Sequence, residues 1–213
     1  DAIIIPGTKN TSEDLMWLWS NGFVEKIKML NKSGVPVIGI CGGYQMLGEK
    51  LYDPEGLESR FREIEGIGLL PAVTYFGKKK ITKQIKAYFV KPVKLFHGIE
   101  GQEFEGYEIH SGRTKLLKGS RVLSIARGER KGKVSDGSIN SDETVFGTYI
   151  HDLFVDEKVR RAFINNLRKK KELPPLKTKL QNNVEFREKS FDRWASILSN
   201  NLDIEKIFKL VGI

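Results

Sequence analysis

The chain has 213 residues, of which 39% are hydrophobic and 30% charged, and its net charge is +9. One cysteine and three histidines exclude an internal disulfide and argue against a structural zinc site. No apolar run reaches the roughly 20 residues that span a bilayer, and we recognise no secretory or lipidation signal, so we expect a cytoplasmic protein with no membrane partner.

The positive charge predicts basic surfaces rather than a nucleic-acid site. Basic residues cluster at positions 78–80, 127–133 and 168–171. Because no helix-turn-helix, zinc-finger spacing or aromatic–basic platform accompanies them, we expect no nucleic-acid partner. Solvated faces, or a docking surface for an acidic partner or substrate, are the interpretations that remain.

The first 51 residues predict alternating strands and helices. Apolar runs without alternation are typical of parallel strands that are covered on both faces. The predicted elements are strand 2–5, a helix capped by Thr11 or Ser12, helix 23–32, strand 35–40 and helix 42–51. This order predicts a doubly wound α/β sheet.

The rest of the chain predicts antiparallel strands followed by helices. Residues 67–145 contain short β-branched segments separated by glycines, as in an antiparallel meander. The apolar run 145–151 predicts a further strand that ends on His151. Three helices are then predicted, at 159–170, 186–200 and 203–211.

The only cysteine lies in the sequence GICGGYQ, between a predicted strand and a predicted helix. The spacing G-x-C-x-G is typical of a nucleophile elbow, where small neighbours permit a sharp turn. A helix N-terminus favours the thiolate of Cys41, and the N–H of Gly42 is placed to stabilise an oxyanion. The alternative is that Cys41 is a small buried residue in a βα turn.

A nucleophilic cysteine also needs a base, and the chain has three histidines. His151 ends a predicted strand, as does the segment before Cys41, and the carboxyl ends of strands in one sheet collect functional groups. We therefore expect Cys41 and His151 to meet at one edge of one sheet. His110, in GYEIHSG, is the competing candidate, and His97 is expected at the surface.

Four segments in order resemble a known family. They are PGTKNTSEDLMWL (6–18), GICGGYQMLG (39–48), FEGYEIHSGRT (104–114) and VFGTYIHDLF (145–154). They are similar to class I, triad-type glutamine amidotransferases, and more closely to the C-terminal glutaminase domain of the cobyric acid synthase family. The C-terminal segment REKSFDRWASILSNNLDIEKI also resembles that family, so the likeness covers nearly the whole chain.

The resemblance implies a class I glutamine amidotransferase-like, flavodoxin-like α/β fold, with a mixed sheet flanked by helices. Residues 1–213 would be the glutaminase domain, the C-terminal part of a larger ATP-dependent synthetase. Because the chain begins DAIIIPG, inside an apolar run and without methionine, we expect the first strands of the fold to be absent from this fragment.

The resemblance also implies substrates and partners. L-glutamine is the implied substrate of this domain, which is expected to hold no metal and no cofactor. ATP and Mg are expected in a missing N-terminal synthetase domain. That domain would use the released ammonia to amidate carboxylates of a corrinoid, converting adenosylcobyrinic acid a,c-diamide to adenosylcobyric acid in cobalamin biosynthesis.

By resemblance, Cys41 is the nucleophile that attacks the glutamine amide carbon. His151 is the general base that later protonates the departing ammonia. Gly42 N–H and a second N–H near Gly7 are the implied oxyanion donors, and Gln45 is implied to hold the substrate glutamine.

Three further residues lie in a segment typical of the family: Tyr107, Glu108 and His110. They are implied in substrate positioning or structural support, with a hydrogen-bonded core turn as an equal alternative. One departure matters, because many class I enzymes carry a glutamate two residues after the histidine and this chain has Leu153. We therefore expect a Cys–His dyad and slow hydrolysis by the isolated domain, unless Glu108 takes the orienting role.

Two other functions remain open from the sequence. A glutaminase subunit that serves lipid II in cell-wall synthesis carries a similar GICGGYQ, although the PGTKNT and GYEIHSGRT segments favour the corrinoid branch. The second alternative is a catalytically silent module that only docks a partner. An intact Cys41, His151 and Gln45 argue against it.

Overall fold

The computed structural model describes residues 1–126, 133–177 and 183–212. These residues fall into two compact units, Asp1–Leu176 and Lys177–Ile213. Of the basic cluster noted at 127–133, residues 127–132 lie outside the described residues.

The first unit contains thirteen strands and four α-helices within the described residues. Its first half comprises β1 (Ile3–Ile5), α1 (Thr11–Ser20), α2 (Phe23–Lys32), β2 (Val37–Ile40), α3 (Gly42–Leu47), β3 (Lys50–Tyr52), β4 (Glu63–Glu65), β5 (Ala72–Tyr75) and β6 (Ile81–Phe89). A short 3₁₀ turn at Lys94–Phe96 follows. The remainder comprises β7 (Phe104–His110), β8 (Arg113–Leu116), β9 (Leu123–Ala126), β10 (Lys133–Asp136), β11 (Ser138–Ile139), β12 (Val145–Thr148), β13 (Ile150–His151) and α4 (Glu157–Lys170).

The sheet that positions the site has the strand order β1-β2-β12-β11. β1, β2 and β12 are parallel, and β11 is antiparallel to β12. Val37 and Val145 face one hydrophobic core, whereas Ile38 and Phe146 face the other. Both faces of β2 and β12 are therefore buried, which is why these strands lack polar alternation.

A five-stranded antiparallel sheet, with the order β10-β9-β6-β7-β13, packs on one side of this arrangement. Its inner face shares a core with α4 that contains Phe89, Phe104, Phe146 and Phe163. The helices α1, α2 and α3 bury their apolar side chains in the other core. A mixed sheet, β4-β3-β5-β8, completes the unit.

The predicted α/β organisation and the antiparallel middle segment are confirmed, but three local predictions were wrong. Asn10 caps α1 by accepting the N–H of Glu13, while Thr11 and Ser12 are buried. The helix predicted over 42–51 ends at Leu47, because Gly48 is extended and a side chain there would lie 2.7 Å from the Ala72 carbonyl.

The strand predicted over 145–151 is divided between two sheets. β12 pairs with β2 and stops at Thr148, whereas β13 pairs with β7. Asp136 accepts hydrogen bonds from the Thr148 hydroxyl at 2.5 Å and from the Tyr149 N–H at 3.0 Å. His151 therefore does not lie in the sheet that holds Cys41, contrary to the prediction of a single sheet.

The second unit consists of α5 (Asn183–Asn201) and α6 (Ile204–Val211), as the sequence predicted. Asp203 caps α6 by accepting the N–H of Lys206 at 3.0 Å. Gly212 ends this helix in the left-handed conformation, with φ of 80°. Both helix ends thus use the residue types expected for them.

We predict that Gly43→Ala destabilises the first unit. A side chain at Gly43 would overlap the carbonyl oxygen of Ile5, where the start of α3 presses on the end of β1. Forcing an atom into such a contact costs about 1–3 kcal/mol or more, and the midpoint of urea unfolding should fall accordingly. Gly77→Ala, where a side chain would meet nothing within 4 Å, is the control. Equal midpoints for the two variants would contradict the prediction.

Candidate active site

Cys41 occupies a strained turn between β2 and α3. Its φ of 53° and ψ of −108° are unfavourable for a residue with a side chain. The Cys41 N–H donates to the Thr148 carbonyl at 2.8 Å, so the turn is tied to the end of β12. Such conformations cost about 1–3 kcal/mol and collect at functional sites, as the nucleophile-elbow pattern predicts.

The structure brings Cys41, His151 and Gly7 together. A side chain added to Gly7 would begin 3.1 Å from His151 Cε1 and 3.5 Å from Cys41 Cβ. Cys41 follows β2, and His151 ends β13 of the antiparallel sheet. The thiol and the imidazole therefore converge from two different sheets, with the loop after β1 between them.

The thiol of Cys41 is buried and protonated at neutral pH. It donates a hydrogen bond to the Ile109 carbonyl, with a sulfur–oxygen distance of 3.4 Å. Burial raises its pKa to about 11, although the Gly42 N–H lowers it. The sequence predicted the opposite shift from the helix N-terminus, but loss of solvation outweighs the short helix here.

His151 is a half-buried, neutral imidazole. Burial lowers its pKa, His110 adds to that shift, and Asp152 opposes it. Its Nε2 is buried and has no hydrogen-bond partner among the residues that the structure describes. The ring stacks on Tyr107, with centroids 4.7 Å apart and planes 8° from parallel.

The loop after β1 lies against the start of α3 at Gly42. A side chain at Gly42 would begin 3.1 Å from the Thr8 nitrogen and 2.9 Å from Thr8 Oγ1. Gly43 donates its own N–H to the Pro6 carbonyl at 3.1 Å, so it is already engaged. The Gly42 N–H, which lowers the pKa of Cys41, and the N–H of Thr8, whose nitrogen lies beside Gly42, are therefore the candidate oxyanion donors.

Gln45 is buried just behind the turn. Its Oε1 accepts from the Thr11 hydroxyl at 3.0 Å, and its Nε2 donates to the Tyr149 hydroxyl at 3.3 Å. A side chain at Gly112 would overlap Nε2, so the amide is enclosed on that side as well. Its predicted contact with substrate glutamine stays a prediction.

Tyr107, Glu108 and His110 all lie on β7, but they face different neighbours. Tyr107 pairs with His151 across the ladder, whereas Glu108 pairs with Ile150. Since successive strand residues point to opposite faces, Glu108 is directed away from the imidazole of His151. Its Oε1 lies 3.5 Å from His110 Nε2 instead.

His110 is held in the interior rather than at the thiol. Its Nδ1 donates to the Gly112 carbonyl at 2.7 Å, because a carbonyl can only accept. Its ring stacks on Tyr149 with centroids 3.8 Å apart. His97 is exposed and lies 3.0 Å from Glu100, as expected of a surface residue.

The sequence reasoning missed Thr8 and Glu58. Glu58 accepts the Thr11 N–H at 3.1 Å, burial raises its pKa, and its charge contributes to the raised pKa of Cys41. Thr8 Oγ1 is buried with no hydrogen-bond partner in the described part of the chain. No local pattern marks Glu58, because a folded loop brings it to the site across 47 positions from Thr11.

Residues 1–126, 133–177 and 183–212 contain no group of three or more His, Cys, Asp or Glu side chains placed to hold a metal ion. Within the same ranges, no helix is both long and apolar enough to span a bilayer. The expectation that this domain needs no cofactor stays a prediction.

A thiol at a strained strand-to-helix turn, within an α/β fold, places the chain in the class of glutamine-hydrolysing amidotransferases with a class I fold. The family model described as the CobB/CobQ-like glutamine amidotransferase domain matches residues 1–159, and the chain belongs to this family.

Curated relatives and a solved structure agree with this assignment. Cobyric acid synthase of Caldanaerobacter subterraneus subsp. tengcongensis is 42% identical over 99% of this chain, which covers 42% of that protein. Cobyric acid synthase of Dehalococcoides mccartyi is 39% identical over the whole chain, which covers 41% of that protein. The chain thus spans about two fifths of the length of these relatives. The structure of PurLQS from Thermotoga maritima superposes with a TM-score of 0.50 at 19% identity, covers 68% of each chain and supports the fold alone.

We predict that alkylation of Cys41 by iodoacetamide is slow near pH 7 and accelerates up to about pH 10. Only the thiolate reacts, and a pKa of about 11 leaves little of it at neutral pH. Mass spectrometry of the intact chain measures the rate without ambiguity, because the chain has one cysteine. A rate that levels off below about pH 8 would indicate a thiolate–imidazolium pair instead.

We predict that Gly7→Ala lowers kcat for glutamine hydrolysis. The new methyl group would press on His151 Cε1 and displace the imidazole from the thiol. Small displacements of a catalytic group cost up to about 100-fold in rate, whereas Gly77→Ala should leave kcat unchanged. Ammonia release by the full-length protein measures both variants, with circular dichroism as the check on folding. A fully active, folded Gly7→Ala protein would show that the imidazole is not needed there.

Proposed function

We propose that this chain is the glutaminase part of a cobyric acid synthase. The relatives that carry this name match the chain along its whole length. The observation that supports glutamine hydrolysis most directly is the convergence of Cys41 and His151 on Gly7. In this proposal the chain supplies ammonia and a synthetase domain uses it, in the cytoplasm.

The first chemical step is attack on the side-chain amide of glutamine. The Cys41 proton moves to Nε2 of His151, which is buried and has no hydrogen-bond partner within the described residues. The sulfur then bonds to the amide carbon. The N–H groups of Gly42 and Thr8 stabilise the negative charge on oxygen, and each such donor contributes about 3–4 kcal/mol in comparable enzymes.

The second step releases ammonia. The imidazolium of His151 returns its proton to the departing nitrogen, and a thioester with Cys41 remains. Water then attacks the thioester with His151 again as base, and glutamate leaves with the thiol restored. The net reaction consumes one glutamine and one water and yields one glutamate and one ammonia.

Substrate recognition falls to the polar groups around this turn. Gln45 keeps its proposed role of holding glutamine, and Glu58 provides a half-buried carboxylate suited to the ammonium group of an amino acid. Glu108 and His110 fit a supporting role better, since they face each other and the core.

The resting site supports slow hydrolysis in the absence of a partner. Cys41 donates to the Ile109 carbonyl, and both the thiol and the imidazole of His151 are neutral near pH 7. Ionising the thiol therefore requires that substrate or partner binding turn the sulfur toward His151. Such a requirement would limit the loss of ammonia when no acceptor is present.

The acceptor half of the reaction belongs to sequence beyond this chain in our proposal. An N-terminal synthetase domain would bind ATP and Mg and activate corrinoid carboxylates, from adenosylcobyrinic acid a,c-diamide to adenosylcobyric acid. A cavity of about 660 Å³ beside His110 and Tyr149 is lined by more basic than acidic side chains, the acidic ones being Glu108 and Asp136, and it suits an acidic surface or substrate. The basic residues that line it are Lys79, Lys80, Lys83, Arg113 and Arg121.

The test is ammonia release by the full-length protein with glutamine and Mg-ATP, with and without cobyrinic acid a,c-diamide. We expect the corrinoid to raise glutamine hydrolysis and to be amidated. Cys41→Ala should reduce glutamine-dependent amidation by at least about a thousandfold, because it removes the nucleophile. The same variant should retain amidation when ammonium chloride replaces glutamine.

Three outcomes would contradict the proposal. Equal ammonia release from Cys41→Ala would remove Cys41 from the mechanism. Robust glutaminase activity with no amidation of the corrinoid would indicate another acceptor. A protein that shows no glutamine hydrolysis, and no glutamine-protected labelling of Cys41 by a diazo-ketone glutamine analogue, would be a docking module.

A further inference from the structure

Among the residues that the structure describes, no carboxylate is hydrogen-bonded to the imidazole of His151. Leu153, two residues later, is fully buried in the hydrophobic core. Glu108 lies on the opposite face of the β7–β13 ladder. Asp152, in the left-handed conformation with φ of 63°, raises the pKa of His151 through its charge.

The aromatic ring of Tyr107 occupies the position beside the imidazole. Tyr107 and His151 are direct partners across the antiparallel ladder, and their rings stack nearly parallel at 4.7 Å. Gly106 permits this approach, since a side chain there would lie 2.5 Å from the His151 carbonyl and 2.7 Å from Ile150 Cγ2. Gly7 bounds the Cε1 edge of the same imidazole. The ring of His151 is thus fixed by packing.

We propose that Tyr107 is the positioning residue for His151 and takes the place of the missing carboxylate. This inference rests on the proposed function, in which His151 is the base. The stacked ring holds the plane of the imidazole toward Cys41. Its π-electrons also favour the imidazolium that forms during each proton transfer, as aromatic faces favour other cations.

The hydroxyl of Tyr107 is not required by this proposal, whereas the ring is. Tyr107→Phe should therefore keep kcat within about twofold of the wild type. Tyr107→Leu removes the ring, and we expect kcat for glutamine to fall about 10-fold to 100-fold while KM changes less than about threefold. A fall in kcat with little change in KM indicates loss of positioning, whereas a rise in KM indicates loss of substrate binding.

The pH dependence of kcat/KM distinguishes this role of Tyr107 from a purely structural one. Loss of the ring destabilises the imidazolium, so the pKa of His151 should fall and the acid limb of kcat/KM should move to lower pH. Asp152, His110, Cys41 and the Tyr107 phenol are the titratable groups around the imidazole. Tyr107 is the only one of these groups that the variant changes. NMR titration of His151 measures the shift of its pKa independently of activity.

Tyr75→Leu is the matched control. Tyr75 lies on a strand, is 45% exposed, and stacks on Tyr52 with ring centroids 4.9 Å apart. Tyr107 is similarly 37% exposed and stacks on His151. Tyr75→Leu should leave kcat and the titration of His151 unchanged. If Tyr107→Leu does not fold, replacing Tyr107 with pentafluorophenylalanine keeps a similar ring shape but reverses the sign of the ring quadrupole. This variant should lower the pKa of His151 relative to Tyr107→Phe.

The outcomes separate the two proposals, all measured in the full-length protein. If His151→Asn abolishes hydrolysis while Tyr107→Leu retains the wild-type kcat and His151 titration, the glutaminase function stands and the positioning role is overturned. If His151→Asn retains full activity, the assignment of the base itself fails. Equal losses in Tyr107→Leu and Tyr75→Leu would also overturn the positioning role, because the effect would then be general destabilisation.

Discussion

The structure of this site depends on one close approach of backbone to backbone. The start of α3 presses against the end of β1 so tightly that only glycine fits at position 43. This contact fixes the turn that holds Cys41 in its strained conformation, and it brings Gly7 and Thr8 alongside the thiol. Burial of β2 and α3 in the surrounding core offsets the unfavourable free energy of the strained turn. The loop after one parallel strand and the cysteine after the next thus lie side by side.

The second constraint is that the apolar run 145–151 is divided between β12 and β13. Thr148 accepts from the Cys41 N–H, so β12 secures the nucleophile turn. Asp136 then binds the Thr148 hydroxyl and the Tyr149 N–H, and the chain passes into the antiparallel sheet. His151 consequently arrives opposite Tyr107. The same seven-residue run therefore supports the thiol through one sheet and the imidazole through another, which couples their positions.

The electrostatic state of the site follows from its burial. A buried thiol that donates to a carbonyl and a half-buried imidazole are both more stable without charge. This balance differs from that of a preformed thiolate–imidazolium pair.

The sequence alone determined the fold class, the order of most elements and the family, because apolar periodicity, glycine spacing and the GICGGYQ turn are local signals. It also named Cys41, Gly7 and His151, which the structure brings together. It did not predict that His151 changes sheets, that Glu108 faces His110, or that Glu58 approaches the thiol. Those outcomes depend on strand register and on contacts between distant segments, which no local pattern encodes. The raised pKa of Cys41 belongs with them, since desolvation is a property of the whole packed interior and not of the residues beside the cysteine.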